Sequence, residues 1–377
     1  MKINSSVVVF GLIILPQTIY SIIPSYFNFF YLTFITLAYI LFIALNVKYL
    51  TKYIYPGPFV LTLLFIFLGL VNCVVHQKFS YFNILAPIIA YVGYVYIIKN
   101  GLNINYFIYT IIILYIYYFF IYYSILPDLF FRPNFDEDEA VFDNSSSNAI
   151  PISLNVTLFF YLIFNYLYKS KHGAKILIFS IINLIAVIIQ QSRGGLIVSI
   201  LLVLISFFEV SKKYFFLTLL VFSIFLLYFI SNNLSQLNEY FDIIGDLNGL
   251  SALNDDVRGI AQAEFFNKLS NFNLFFGYPP NTIYVIWAST EIKYTYNVFL
   301  DVWNKYTVFM TVGLLILVLQ RFVFFKSYKF PIYYLLPFLF YCMIESLFFP
   351  NFWDAIVYLI IFFPKNESPS NLECRLN

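Results

Sequence analysis

The chain has 377 residues, of which 62% are hydrophobic and only 11% are charged, and its mean hydropathy is +0.83. A soluble domain of this length needs far more charged residues to cover its surface, so the composition excludes an ordinary soluble protein. The formal net charge of +2 gives no sign of a nucleic-acid partner.

The apolar residues fall into twelve segments, and most of them are long enough to cross a hydrocarbon core of about 30 Å as a helix. They cover approximately residues 7–23, 27–46, 58–75, 81–98, 107–125, 152–168, 176–191, 195–208, 214–231, 296–318, 330–346 and 352–364. This pattern predicts an all-α fold, namely a polytopic integral membrane protein with about 12 transmembrane helices. The membrane domain is predicted to be a single unit over residues 1–377.

Lysines and arginines gather in alternate turns between these segments, and short loops rich in them stay in the cytoplasm. The basic turns contain Lys48, Lys52, Lys99, Lys169, Lys171, Lys175, Lys212, Lys213, Arg321, Lys326 and Lys329. Lys2 precedes the first segment, and Lys365 and Arg375 follow the last one. Both termini are therefore predicted to be cytoplasmic.

Two longer loops are then predicted on the outer side, at about residues 127–151 and 232–295. The first contains the acidic run of residues 136–139, which we interpret as a solvated stretch, with divalent-cation binding as the alternative. In the second, apolar residues recur at helical spacing from Asp255 to Leu269. We expect an amphipathic helix there, lying on the outer surface of the membrane.

Arg193 lies between two apolar segments and is followed by Gly194 and Gly195, which allow a ligand or a neighbouring backbone to approach closely. An ionised group at that depth is costly unless it faces protein, water or an anion, so a functional role is the first hypothesis. The alternative is an arginine whose side chain extends to the outer headgroups.

Arg258 lies in the predicted outer helix, and Gln262 shares its side four residues later. With Arg193 on the same face of the membrane, Arg258 is a candidate second donor to a phosphate, because guanidinium groups bind phosphates in a bidentate manner. The two arginines therefore predict one site for an anionic lipid substrate.

The other signatures of catalysis are missing from the sequence. His76 and His172 are predicted on opposite sides of the membrane, so they cannot share a metal ion or a proton. The sequence contains neither a phosphate-binding glycine loop nor a dinucleotide fingerprint nor a cysteine pair at zinc spacing. We therefore expect a site without a metal or another cofactor.

Three segments together resemble the bacterial O-antigen polymerase and O-antigen ligase group, over about residues 150–320. They are Ser192-Arg193-Gly194 at the start of an apolar segment, the long outer loop from Arg258 to Gly277, and the run of residues 296–300. This last run, Tyr-Asn-Val-Phe-Leu, is similar to the family's His-Asn-x-x-Leu. Tyr296 stands where ligases of the group carry a histidine, which favours a polymerase.

The resemblance implies an O-antigen polymerase in the bacterial inner membrane, a glycosyltransferase that joins repeat units on the periplasmic face during lipopolysaccharide biosynthesis. Its substrate would be an oligosaccharide linked to undecaprenyl pyrophosphate. The partners implied are membrane lipids, a chain-length regulator and the flippase of the same pathway. An O-antigen ligase is the nearest alternative, and a flippase or other transporter of lipid-linked oligosaccharides is the second.

Within this interpretation, Arg193 and Arg258 stabilise the leaving pyrophosphate, and other residues bind the substrate or accept a proton. The substrate-binding candidates are Ser192, Gly194, Gln262, Tyr296 and Asn297. The candidate general bases are Asp255, Asp256, Glu264 and Glu291. The sequence does not choose among these four acids, since most acids in a polar loop are surface groups.

Overall fold

The computed structural model describes residue 8 and residues 10–16, 25–52, 54–100, 102–122, 149–167, 173–189, 193–210, 257–280, 282–287, 290–293, 295, 297–320, 332–344 and 354–362. Most of these residues are helical, so the all-α class is confirmed. The predicted segment 214–231 and the outer loop 127–151 lie outside the described residues, apart from the helical residues 149–151.

The first element in the described part of the chain is a short π-helix at Phe10–Ile14. The next seven helices are α1 (Ser25–Lys52), α2 (Pro56–Val75), α3 (Tyr81–Asn100), α4 (Asn105–Tyr122), α5 (Ala149–Leu167), α6 (Gly173–Ile189) and α7 (Arg193–Val210). Each overlaps one predicted apolar segment, with ends that differ by a few residues. The apolar pattern therefore located these helices correctly.

Two short helices and a hairpin follow within the predicted outer loop. They are α8 (Val257–Asn267), α9 (Asn271–Phe276) and the strands β1 (Val285–Trp287) and β2 (Thr290–Ile292). The strands pair in antiparallel orientation, with Ile286 opposite Glu291. The amphipathic helix predicted from Asp255 to Leu269 is thus present as α8, whereas the hairpin was not predicted.

The C-terminal part contains α10 (Val298–Lys305), α11 (Val308–Leu319), a 3-10 turn at Ile332–Tyr334, α12 (Leu335–Ile344) and α13 (Asp354–Ile361). The expectation of one continuous helix over 296–318 is wrong. The helix is interrupted at Tyr306 and Thr307, where the Thr307 hydroxyl accepts a hydrogen bond from the Met310 amide and begins a new helix.

The main core is formed by α3, α5 and α13, together with parts of the π-helix, α2, α4, α6, α7, α10, α11 and α12. In α5 the residues from Ser153 to Phe164 are all buried, so this helix is surrounded by other elements. Helices α3 and α13 approach very closely, because a Cβ atom on Gly93 would lie 2.7 Å from the Cβ atom of Ala355. Small residues at such a crossing let two helix backbones come together.

Helix α6 has polar residues on its inner side and large apolar residues on its outer side. Ser180 and Asn183 are buried at 0% and 1% exposure. The exposed side chains, at 43% to 57%, are Ile178, Ile181, Ile182, Ile185 and Ile188. Judged by length and composition, one helix in the described part of the chain, α2, is long and apolar enough to cross a membrane.

Candidate functional site

Helix α7 begins at Arg193, the residue on which the anion-site prediction depends. Its first turn is held by α5, because the Asn155 Nδ2 atom donates a hydrogen bond of 2.9 Å to the Gly195 carbonyl. The N-terminal end of a helix carries a partial positive charge, which adds to the charge of an arginine located there. Ser192 and the side chain of Arg193 lie outside the described residues.

Asn155 is the centre of a buried polar cluster that also contains Asn183 and Ser199, which we call the α5–α7 cluster. The Asn155 Oδ1 atom accepts from Asn183 Nδ2 at 2.5 Å and from Ser199 Oγ at 2.8 Å. All three side chains are at most 1% exposed. Hydrogen bonds between apolar helices fix their relative positions, so this cluster holds the first turns of α7 against α5 and α6.

Arg258 is the second residue of α8, and its side chain is not described. Ala261 and Phe265, three and seven residues later, are fully buried in a small core with Tyr278 and Tyr284. Leu300 and Trp303 of α10 pack against this core. The described part of residues 257–292, which we call the outer segment after the predicted loop that contains it, is therefore a folded element that rests on α10. Asp255 and Asp256 lie outside the described residues.

The outer segment is attached to the end of α2 through Asn72. The Asn72 Nδ2 atom donates to the carbonyls of Phe276 at 2.8 Å and Tyr278 at 3.0 Å. Between them, Gly277 has a φ of +72°, and a Cβ atom there would lie 2.5 Å from the Asn304 carbonyl oxygen. Only glycine suits this backbone position, where the chain turns back toward α10.

His76 makes a second contact at the same place, since its Nε2 atom lies 3.0 Å from the carbonyl oxygen of Gly277. The carbonyl can only accept, so Nε2 carries the proton and donates. Burial lowers the pKa of His76, whereas the backbone hydrogen bonds to Gly277 and Phe276 oppose that shift. Burial also raises the pKa of Tyr278 to about 12, so its hydroxyl stays protonated and donates to the carbonyl of Phe265.

Asn297, a predicted substrate-binding residue, is the N-cap of α10. Its Oδ1 atom accepts from the Phe299 and Leu300 amides at 3.0 and 3.2 Å, and its Nδ2 atom donates to the Met343 carbonyl at 3.4 Å. The side chain is therefore occupied in positioning α10 against α12. Tyr296 lies outside the described residues.

Asp301, one turn into α10, was not among the predicted acids, yet its side chain is 0% exposed. Its Oδ1 atom accepts from the amide of Thr295 at 3.0 Å and from the Thr295 hydroxyl at 2.9 Å. Its Oδ2 atom has no hydrogen-bond partner among the described residues. Burial raises the pKa of Tyr284, and the nearby Asp301 carboxylate raises it further.

The described acids of the predicted set lie on the surface or in the hairpin. Glu264 is half-buried, accepts a hydrogen bond from Asn267 and forms an ion pair of 3.8 Å with Lys268. Glu291 belongs to β2, and its side chain is not described. Gln262 is half-buried in α8. The Glu264 carboxylate thus has a surface partner, as expected for an ordinary solvated acid.

The structure thus places the predicted motifs at the starts of α7, α8 and α10. Sequence reasoning missed Asp301 and the α5–α7 cluster, although a signal existed in both cases, because each puts polar residues inside an apolar segment. Among the described residues no group of three or more His, Cys, Asp or Glu side chains could hold a metal ion, and the acidic run at 136–139 lies outside them.

The chain was compared with protein-family models, curated proteins and solved structures, and none of them matches it.

Proposed function

We propose that this chain is a polytopic membrane protein of the bacterial inner membrane, with about twelve spans and both termini in the cytoplasm. The arrangement of α6 supports this proposal, because its isoleucines face outward and its serine and asparagine face inward. Water-soluble helices have the opposite arrangement, whereas a helix in lipid satisfies its polar groups internally. Exposed apolar rows on α2, such as Leu63, Phe67 and Leu70, have the same character.

We propose further that the protein is an O-antigen polymerase, which extends a glycan carried on undecaprenyl pyrophosphate. One observation carries this proposal: Arg193 is the first residue of α7 and Arg258 is the second residue of α8. Each arginine is thus joined to the positive end of a helix, a combination suited to a doubly charged pyrophosphate.

In the proposed reaction, a hydroxyl oxygen of the acceptor repeat unit attacks the anomeric carbon of the donor glycan. The bond between that carbon and the pyrophosphate oxygen breaks, and the pyrophosphate leaves with the electron pair. The acceptor hydroxyl loses its proton to a base on the protein. Arginines placed where negative charge develops stabilise the transition state more than the ground state, which is how they accelerate the reaction.

The test is the lipopolysaccharide banding pattern of the host after deletion of this gene and after its return on a plasmid. We expect the deletion strain to show core carrying a single repeat unit without the longer ladder, and the plasmid to restore the ladder. Complete loss of repeat units from the core would point to the ligase or flippase alternatives instead. An unchanged ladder would overturn the proposal.

A further inference from the structure

Asp301 has a buried carboxylate, and among the described residues only one of its two oxygens receives hydrogen bonds. Thr295 supplies both described hydrogen bonds to this carboxylate, and both go to the same oxygen, Oδ1. The hydroxyl of Tyr284 is also buried without a hydrogen-bond partner in the described part of the chain. Asp301 Oδ2 and the Tyr284 hydroxyl are thus two buried polar atoms without a hydrogen-bond partner among the described residues.

A buried carboxylate is costly unless its oxygens receive hydrogen bonds or its charge is balanced. Thr295 offers two neutral donors to one oxygen, which leaves the other oxygen able to accept a further hydrogen bond. If Asp301 served only to hold Thr295 in place, Oδ1 alone would be enough. Oδ2 therefore lacks a hydrogen bond that a group arriving with its own proton could supply, once a local movement exposes it.

The position of Asp301 adds to this argument. It lies four residues after Asn297, at the point where α10 receives the outer segment through Leu300 and Trp303. An ionisable residue inside an apolar segment of a membrane protein is a functional candidate before it is a structural one. Glu264, in contrast, is paired with Lys268 on the surface.

We propose that Asp301 is the general base of the glycosyl transfer and that Thr295 positions its carboxylate. This inference rests on the proposed polymerase function and identifies the proton acceptor that the function requires. The acceptor sugar's hydroxyl donates its hydrogen bond to Oδ2. As the new bond forms between the acceptor oxygen and the anomeric carbon, the proton moves to Oδ2 and the pyrophosphate departs with the electron pair of the broken bond.

The carboxylate is covered in this structure, so access requires a local movement. The proposal therefore includes a movement that exposes Oδ2 to the acceptor hydroxyl.

The test uses purified full-length protein in proteoliposomes with lipid-linked repeat units extracted from the strain that lacks this gene. Asp301→Asn keeps the shape and the Oδ1 acceptor but cannot take up the proton. We expect kcat to fall by about 100-fold or more, with KM for the repeat unit changed little, as for the loss of a general base. Thr295→Val removes one hydrogen bond to the carboxylate, and we expect a smaller loss, about 10-fold or less.

Retention of kcat within about 3-fold of wild type in Asp301→Asn would overturn the inference. If that variant does not fold, the pair Asp301→Glu and Asp301→Gln decides, since both add one methylene and only the first keeps a carboxylate. Higher activity per folded molecule in the Glu variant supports the inference, and equal activity overturns it. If the wild-type protein itself makes no polymer in this assay, the proposed polymerase function fails, which is a different result.

Discussion

The Nδ2 atom of Asn155 in α5 lies 2.9 Å from the carbonyl oxygen of Gly195 in the first turn of α7. The Asn155 Oδ1 atom also accepts hydrogen bonds from Asn183 of α6 and Ser199 of α7. This asparagine therefore joins α5, α6 and α7 near the first turn of α7. The position of the predicted anion site therefore depends on a residue outside the motifs that predicted it.

Replacing Asn155 with leucine should destabilise the protein and reduce polymer formation. The Ser199 hydroxyl loses its acceptor, and the Asn183 amide keeps only its 3.3 Å hydrogen bond to Ser199 Oγ. The cost of a buried polar group left without a partner is about 1–3 kcal/mol. Thermal unfolding in detergent measures this change. The control is Thr157→Val, because among the described residues the Thr157 hydroxyl has one hydrogen-bond partner, the Ser153 carbonyl of the same helix. Equal melting temperatures for the two variants would contradict the proposed role of Asn155.

Gly277→Ala should prevent the outer segment from docking on α10. The added Cβ atom would lie 2.5 Å from the Asn304 carbonyl oxygen and 2.7 Å from that of Trp303, and the φ of +72° disfavours alanine. We expect loss of the ladder in complementation and faster proteolysis between α8 and α10.

Gly313→Ala is the matched control, since a Cβ atom there meets nothing within 4 Å. Alanine is favoured over glycine inside a helix by about 1 kcal/mol, so this variant should be as stable as wild type or more so. Similar behaviour of the two variants would show that the close approach at Gly277 is not needed.

Burial of the His76 ring, which contacts Phe272 and Gly277, should make docking of the outer segment pH-dependent. The folded-state pKa of His76 lies below its unfolded value of about 6.5, because burial disfavours the charged ring. Above about pH 6.5 the ring is neutral in the folded and in the unfolded state, so protonation of His76 takes nothing from the stability of the docked segment. As pH falls below it, the unfolded state binds the proton first, so stability is lost as pH falls through the folded pKa.

The measurement for His76 is protease resistance of the outer segment between pH 7.5 and pH 5. We expect resistance to decline with acid in the wild-type protein. His76→Gln keeps a donor for the Gly277 carbonyl but does not titrate, so its resistance should change less over this range. Identical pH profiles for the two proteins would contradict this role.

Much of the helical structure was predictable from the sequence, because continuous apolar segments of this length are more typical of helices than of strands. The helix at Val257–Asn267 was predictable from its apolar spacing. The break at Tyr306 was not, since a threonine cap inside an apolar run leaves hydropathy unchanged. The position of Asp301 inside an apolar segment was visible in the sequence, but its contact with Thr295 and its burial were not.

The candidate site was predictable only as motifs along the chain. The sequence predicted Arg193 just before an apolar segment and Arg258 inside an amphipathic helix, and the structure has these two residues in α7 and α8. Their support by Asn155 and by the small core around Phe265 depends on contacts between distant parts of the chain, which short motifs do not encode. For the same reason, Asn297 has a capping role that its resemblance to a family segment did not suggest.

Arg193→Lys and Arg258→Lys test whether the two arginines act at one site. Each variant keeps the positive charge but loses the planar fork that binds two phosphate oxygens together, so we expect polymer formation to fall by about 10-fold or more in each. Asp301→Asn should differ, because it removes the base and leaves the donor's binding intact. The distinguishing measurement is KM for the lipid-linked repeat unit, which the arginine variants should raise.

A variant with both Arg193→Lys and Arg258→Lys tests whether the two arginines bind the same pyrophosphate. If both arginines contact one pyrophosphate, losing the second fork after the first costs less than losing it from the wild-type protein, so the two effects do not add. Losses that multiply independently would mean that Arg193 and Arg258 act at separate places. Full activity in either single variant would remove that arginine from the site, and the positive end of its helix alone would then have to account for the binding of the anion.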